Sequence, residues 1–351
     1  MRLAPLLALL LSPALAAQPT GSTITSGGGP ASDVGESVAA DVLSGEVAVV
    51  GTFEQTATFG AVSVTSADAP TTRSDAFVVK YGADGVAQWA RRMGTGVFND
   101  FGAGVAIGGG GVYVSGYFTG IATFDGGANP SVSLTTRNDF DAFLAKYSYE
   151  GDLLWVQQAG GPEQDTGRGV AVDSEGRALW VGSFTGTSTW GSGAAALTRT
   201  SAGSSDGFLA RYLPDGTLDR LLTVGGDESD DLRSVSTSPF FPFSPTYATG
   251  TFRSVAFFGA TPLQSRGLSD VAVIRVGDDN SVEWARQVGG SGNDYARGVA
   301  LGRDGNVGVG GSFENTLLVG TDVLTSAGAS DAFLAVYDFT GAEVGARRGG
   351  G

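Results

Sequence analysis

The chain has 351 residues, among them 57 glycines and 12 prolines but no cysteine and no histidine, and its 36 acids against 21 bases give a formal charge of −15. These counts exclude Ser-His and Cys-His nucleophiles, the usual zinc sites and disulfide staples, and the acidity opposes nucleic acid and anionic membrane surfaces as partners. With 42% hydrophobic and only 16% charged residues, the composition is that of many short strands joined by tight turns, not of helices or a disordered tail.

At the N-terminus, Met1 and Arg2, the apolar run from Leu3 to Leu15 and the small residues Ala14 and Ala16 read as a secretory signal over residues 1–17. The run is shorter than the roughly 20 apolar residues that span a bilayer, and no other stretch competes, so no membrane span is expected. Residues 18–351 are expected to form one domain that is secreted, extracellular or periplasmic and monomeric. Ser22 to Thr25 lie about where the last strand of a preceding repeat would lie, which predicts that the segment 18–28 pairs with the last repeat and helps to close a ring.

Five copies of one pattern follow. An aspartate precedes a small apolar strand at Asp33, Asp100, Asp165, Asp230 and Asp294, with spacings of 67, 65, 65 and 64 residues; a second aspartate opens another strand at Asp75, Asp141, Asp206, Asp270 and Asp331. A fixed period of this kind marks a repeat architecture, in which each unit buries its apolar face against its neighbours. The copies run over about residues 26–93, 94–160, 161–225, 226–289 and 290–351. Within each, a run of small residues such as Gly169, Val170 and Ala171 is followed by a tight turn. An alternating strand then ends on an aromatic at Phe53, Phe118, Phe184, Phe252 and Phe313. Six residues later a second bulky residue (Phe59, Phe124, Trp190, Phe258, Val319) begins what reads as an extra small hairpin. The strand opened by the second aspartate alternates with period two, as in Asp75 to Tyr81. A last strand carries Trp89, Trp155 and Trp284, with Arg220 and Gly345 at the matching positions of repeats three and five.

Four main strands per unit without helical periodicity describe a β-propeller, here five blades of four main strands with an extra hairpin per blade. The order Gly-Val-Ala-Val-Asp, Gly-x-Val-x-Val-x-Gly-x-Phe, Ser-Asp-Ala-Phe-Leu-Ala-Lys-Tyr, Trp resembles the bacterial SBBP β-propeller repeat over essentially the whole mature chain. Repeat four departs from it at Ala272 and in a longer first turn. The resemblance implies a propeller and an extracytoplasmic setting, and it supplies no catalytic residue.

Residues that carry chemistry are few. The ten recurrent aspartates are equivalent five by five, which suits turn capping better than a catalytic pair, since catalysis needs asymmetry. Asp227, Glu228, Asp230 and Asp231 form the densest acid cluster and a weak Ca²⁺ candidate, but no Asp-x-Asp-x-Asp-Gly loop is present; Asp278 and Asp279 are weaker still. No other cofactor is expected. Lys80, Lys146, Arg211 and Arg275 recur at one position and are expected to pair locally. The one aromatic group outside the pattern is Phe240, Phe241 and Phe243 with Tyr247, in a proline-stiffened loop suited to a partner contact or a plug. Small apolar residues on the first strand of every repeat are expected to line the axis and leave few functional groups there. The resulting expectation is a non-enzymatic propeller that presents loops to a protein, glycan or surface partner. The alternatives are a carboxylate-based glycosidase or lyase and a calcium-stabilised structural module.

Overall fold

The computed structural model describes residues 26–69, 73–238 and 244–351. The described chain is all β, and apart from one 3₁₀ turn at Gly193–Ala195 it contains no helix. The expected leader, residues 1–17, and Ser22 to Thr25 lie outside the described residues.

Repeat one consists of Asp33–Ala40, Val47–Glu54, Ser74–Tyr81 and Ala87–Gly94, paired antiparallel in chain order. Repeat two repeats this with Phe101–Gly108, Gly111–Phe118, Asp141–Tyr147 and Leu153–Gly160. Repeat three has Asp165–Val172, Ala178–Trp190, Leu197–Tyr212 and Leu218–Gly226, its long second and third strands absorbing the extra hairpin. Repeat four has Ser234–Ser236, Thr246–Phe252, Asp270–Val276 and Val282–Gly289, and repeat five has Asp294–Leu301, Val307–Phe313, Asp331–Tyr337 and Glu343–Gly349.

The extra hairpins are real and link one repeat to the next. The second residue after the terminal phenylalanine turns the chain into the left-handed region in every copy, at Gln55, Gly120, Gly186, Ser254 and Asn315. The hairpin that follows hydrogen-bonds to the end of the preceding repeat's fourth strand: Gly94 and Met93 face Thr123 and Phe124, and Gly289 and Val288 face Leu318 and Val319. Its bulky residue then packs on the phenylalanines of strands two and three. In repeat two the Phe124 ring is 5.0 Å from Phe143 and 6.3 Å from Phe118, both edge-on. Trp190 stands in the same way between Phe184 and Phe208. Burial of each such ring contributes roughly 1.5–3 kcal/mol.

Tryptophans on the fourth strands reach across to the following repeat. The Trp89, Trp155 and Trp284 Nε1 groups donate to the carbonyls of Tyr149, Pro214 and Phe339 at 2.9, 3.0 and 3.2 Å. Each indole lies over a glycine with left-handed φ in that turn, Gly151, Gly216 or Gly341, where a Cβ would come within 3 Å of the ring. Between repeats three and four, where the fourth strand of repeat three carries Arg220 in place of the tryptophan, Arg211 bridges to Asp278 at 2.8 Å.

Among the described residues, no strand pairing joins repeats five and one, and the seam between them is open. Gly104 and Gly169, in strand one of repeats two and three, abut the following repeat so closely that a Cβ would lie 2.3 Å from the Arg168 carbonyl and 2.9 Å from that of Arg233; Gly298, the same position in repeat five, has nothing within 4 Å. Leu334 of repeat five is 49% exposed, whereas its counterparts Val78 and Leu144 are fully buried. The expected pairing of the N-terminal segment with the last repeat is not what the described part of it does. Gly27–Gly28 pairs with Thr58 and Phe59 of repeat one, taking the edge that a preceding fourth strand holds at the other junctions.

Candidate functional site

The ten aspartates are structural anchors. Asp100, Asp165, Asp230 and Asp294 accept the backbone N–H groups of Thr95, Gly161, Gly226 and Gly290 at 2.6–2.8 Å. Asp75, Asp206 and Asp331 accept those of Ala67, Ala202 and Ala327. Desolvation raises the carboxyls of Asp75, Asp206 and Asp270, and takes Asp100, Asp165 and Asp294 to about 7 and Asp141 and Asp230 to about 6. At the junctions they face one another as like charges, Asp75 with Asp100, Asp141 with Asp165, Asp206 with Asp230 and Asp270 with Asp294. Such pairing raises the pKa further.

The acid cluster from Asp227 to Asp231 is divided in its duties. Asp230 accepts N–H bonds from Gly226 and Arg253, and Asp231 accepts from Thr251 and the Arg233 guanidinium. Among the described residues no three acids stand together in a metal-binding arrangement. The recurrent cations are likewise engaged: Lys80 with Glu46, Lys146 with the Gly109 and Pro214 carbonyls, Arg211 with Asp219 and Asp278, and Arg275 with Glu283. Phe240, Phe241 and Phe243 lie outside the described residues. Tyr247 is a core side chain, 1% exposed and packed on Trp284 at 5.9 Å, because its strand turns it inward between repeats. It is not a surface contact.

The axis is where sequence reasoning needs correction. The first strands of repeats one, two, three and five, with Arg233 just before that of repeat four, line one cleft of about 310 Å³, bordered by Glu36, Phe101, Ala103, Tyr117, Arg168, Arg233 and Arg297. One residue per repeat stands three positions after the first aspartate and one before the small triplet, and it is charged in four of the five: Glu36, Ala103, Arg168, Arg233 and Arg297. A register shift at this point makes the placement possible. Gly35 pairs with Gly51 and Ser37 with Val50, leaving Glu36 unpaired; Ala103 and Arg297 are skipped in the same way, and Arg168 falls in the corresponding shift of repeat three. A bulge of this kind bends the strand and re-aims the extra side chain, here toward the axis, while the small residues after it keep the strands close.

The cleft is asymmetric in charge. Arg233 is tied to Asp231 at 2.7 Å, but among the described residues no carboxylate lies within 4.0 Å of the Arg168 or Arg297 guanidinium. Arg168 instead stands 5.3 Å from the centre of the Tyr117 ring, a cation–π contact. Tyr117 stacks on Phe101 at 4.8 Å and meets Phe140 edge-on at 5.4 Å. Glu36 is the only acid among the described residues that border this cleft.

Residues 154–189, from the fourth strand of repeat two to the second strand of repeat three, match the model of the SBBP family, described as a beta-propeller repeat. The chain carries an SBBP β-propeller repeat. Among solved structures, the Dos1 propeller is similar over 91% of this chain and 85% of its own, at 10% identity and a TM-score of 0.43. No curated protein matches the chain. The SBBP match takes in Arg168, so one of the axial arginines sits within the recognised repeat itself.

Proposed function

We propose that the chain is an exported, non-enzymatic propeller of five four-stranded blades whose axial cleft is a ligand-binding site for a glycan or another small polar partner. The carrying observation is the contrast between repeat-wide and repeat-breaking residues. Features present in every copy, the aspartates and the terminal phenylalanines, are spent on turns and core, whereas the axial position carries Glu, Ala, Arg, Arg and Arg in turn. Polar groups that converge on a cleft beside half-buried aromatics are what a small-molecule site needs. Export rests on the leader-like residues 1–17.

A two-acid glycosidase is less well supported, because it requires a second carboxyl roughly 5–9.5 Å from the first, and Glu36 has no acidic neighbour among the described residues of the cleft. The test is Ala103→Trp, which fills the cleft from repeat two. Binding to an immobilised glycan panel is expected to disappear while the unfolding midpoint stays the same. Retained binding would place the site elsewhere on the surface.

A further inference from the structure

The axial cleft also specifies the chemistry of what enters it, and the inference rests on the reading of that cleft as a binding site. We propose that it takes an acidic saccharide, with a sugar carboxylate held between Arg168 and Arg297 and the sugar ring laid against the Phe101–Tyr117 pair.

Three observations lead there. First, this protein has 36 acids for 21 bases, and the recurrent inward cations are all engaged, Lys80, Arg211 and Arg275 with carboxylates and Lys146 with the Gly109 and Pro214 carbonyls. Arg168 and Arg297 have no carboxylate partner among the described residues, although both border the cleft. A guanidinium there is a rigid two-pronged donor that matches a carboxylate bidentately, and the walls of the cleft strengthen that attraction relative to open water.

Second, the cations occupy one side only. They come from repeats three, four and five, while repeats one and two contribute Glu36 and Ala103 at the same position. An anion of uniform charge would meet Glu36 as a repulsive neighbour. A ligand with a carboxylate at one end and hydroxyls at the other fits both sides, since Glu36 accepts hydroxyl hydrogen bonds. An acidic peptide supplies the carboxylate but not a set of hydroxyls.

Third, Tyr117 and Phe101 form a stacked pair at the border, flanked by Arg168. An aromatic face beside a guanidinium offers an apolar surface next to a charge, which is the division found on one face of a uronate ring. Ala103 leaves room in front of that surface where Arg168 and Arg297 fill their own bulges.

The experiment is calorimetric titration with three probes: tri-galacturonate, the neutral galactotriose and a triglutamate peptide. Tri-galacturonate is expected to bind, with affinity that falls as salt is raised. Arg168→Ala and Arg297→Ala are each expected to weaken it about tenfold or more, the loss of a charge-assisted hydrogen bond. Arg168→Lys restores only part of the loss, and Arg199→Ala, on an exposed outer strand, changes nothing. Arg297 is itself exposed, so its variant remains informative if Arg168→Ala perturbs folding. Absence of tri-galacturonate binding, indifference to both arginine variants, or equal binding of triglutamate would overturn the proposal. Binding of galactotriose that is lost in Tyr117→Ala but indifferent to the arginines would overturn the acidic ligand and leave the axial site standing. Failure of all three probes would count against both.

Discussion

Raising the pH from mild acid to alkaline should destabilise this protein, and the buried aspartates set the size of the effect. Asp100, Asp165 and Asp294 titrate at about 7 and Asp141 and Asp230 at about 6, with desolvation the first cause in each, against an ordinary value of 3.8. Between about pH 4 and pH 7 the folded chain therefore holds protons that the unfolded chain has released, and linkage makes the unfolding free energy fall as pH rises. The contribution is complete below the unfolded value and is lost as pH climbs through the folded values. Each acid contributes about 1.4 kcal/mol for every pH unit between its folded and unfolded titrations. One such unit at each of the five already totals about 7 kcal/mol, a large share of the roughly 5–15 kcal/mol that holds a domain together. Asp215, Asp279 and Asp338, exposed turn residues, are lowered first by hydrogen bonds from Thr217, Ser281 and Thr340. Their contribution is lost as pH falls through their depressed values, so the optimum lies in mild acid. Urea unfolding followed by tryptophan fluorescence at about pH 5 and about pH 8 reads the difference. A midpoint that is flat or rises over that interval would refute the reasoning. Asp165→Asn, which keeps an acceptor for Gly161 N–H but cannot titrate, should flatten the pH slope by about one-fifth if the five acids contribute alike.

Two substitutions separate the closed junctions from the free seam. Gly104→Ala forces a methyl against the Arg168 backbone of the next repeat and should cost about 1–3 kcal/mol, as overpacking does, whereas Gly298→Ala, with nothing within 4 Å, should stay within about 0.5 kcal/mol. Equal costs in urea unfolding would show repeat five covered in solution. Trp284→Ala removes a buried indole and its bond to Phe339 and should cost about 3–5 kcal/mol, whereas Trp284→Phe should cost only about 1 kcal/mol beyond its packing change. A cost below about 1 kcal/mol for Trp284→Ala would show that the indole does not join repeats four and five.

What the sequence makes legible is whatever recurs. The terminal phenylalanines mark the ends of the second strands, the following bulky residues mark the small hairpins, and the tryptophans mark the fourth strands, because each side chain fills the same hole in successive copies. Junction partners were not legible. Nothing in Trp89 announces that its indole N–H reaches a carbonyl 60 residues away, since that contact depends on how one sheet leans on the next. Tyr247 misled for a related reason. It follows Pro242, Phe243 and Pro245 in the sequence and reads as part of a loop, yet it is the second residue of a strand whose neighbours bury it.

The axial arginines show why a repeat hides its own site. Alignment of the copies draws attention to Gly169, Val170 and Ala171 because every repeat has small residues there, and small residues imply an axis without function. The bulge breaks that implication. It adds one residue to the first strand without adding one to its partner, so the residue before the triplet leaves the alternation and turns inward. Being outside the pairing, it is free of the steric rule that keeps its neighbours small, and it differs from copy to copy: Glu36, Ala103, Arg168, Arg233, Arg297. Arg168 and Arg297 each precede a glycine, Gly169 and Gly298, and a long charged residue before a small one at the point of register loss is the signal that marks such a position. In a repeat fold the place to look for function is therefore the variable residue adjoining the most uniform stretch.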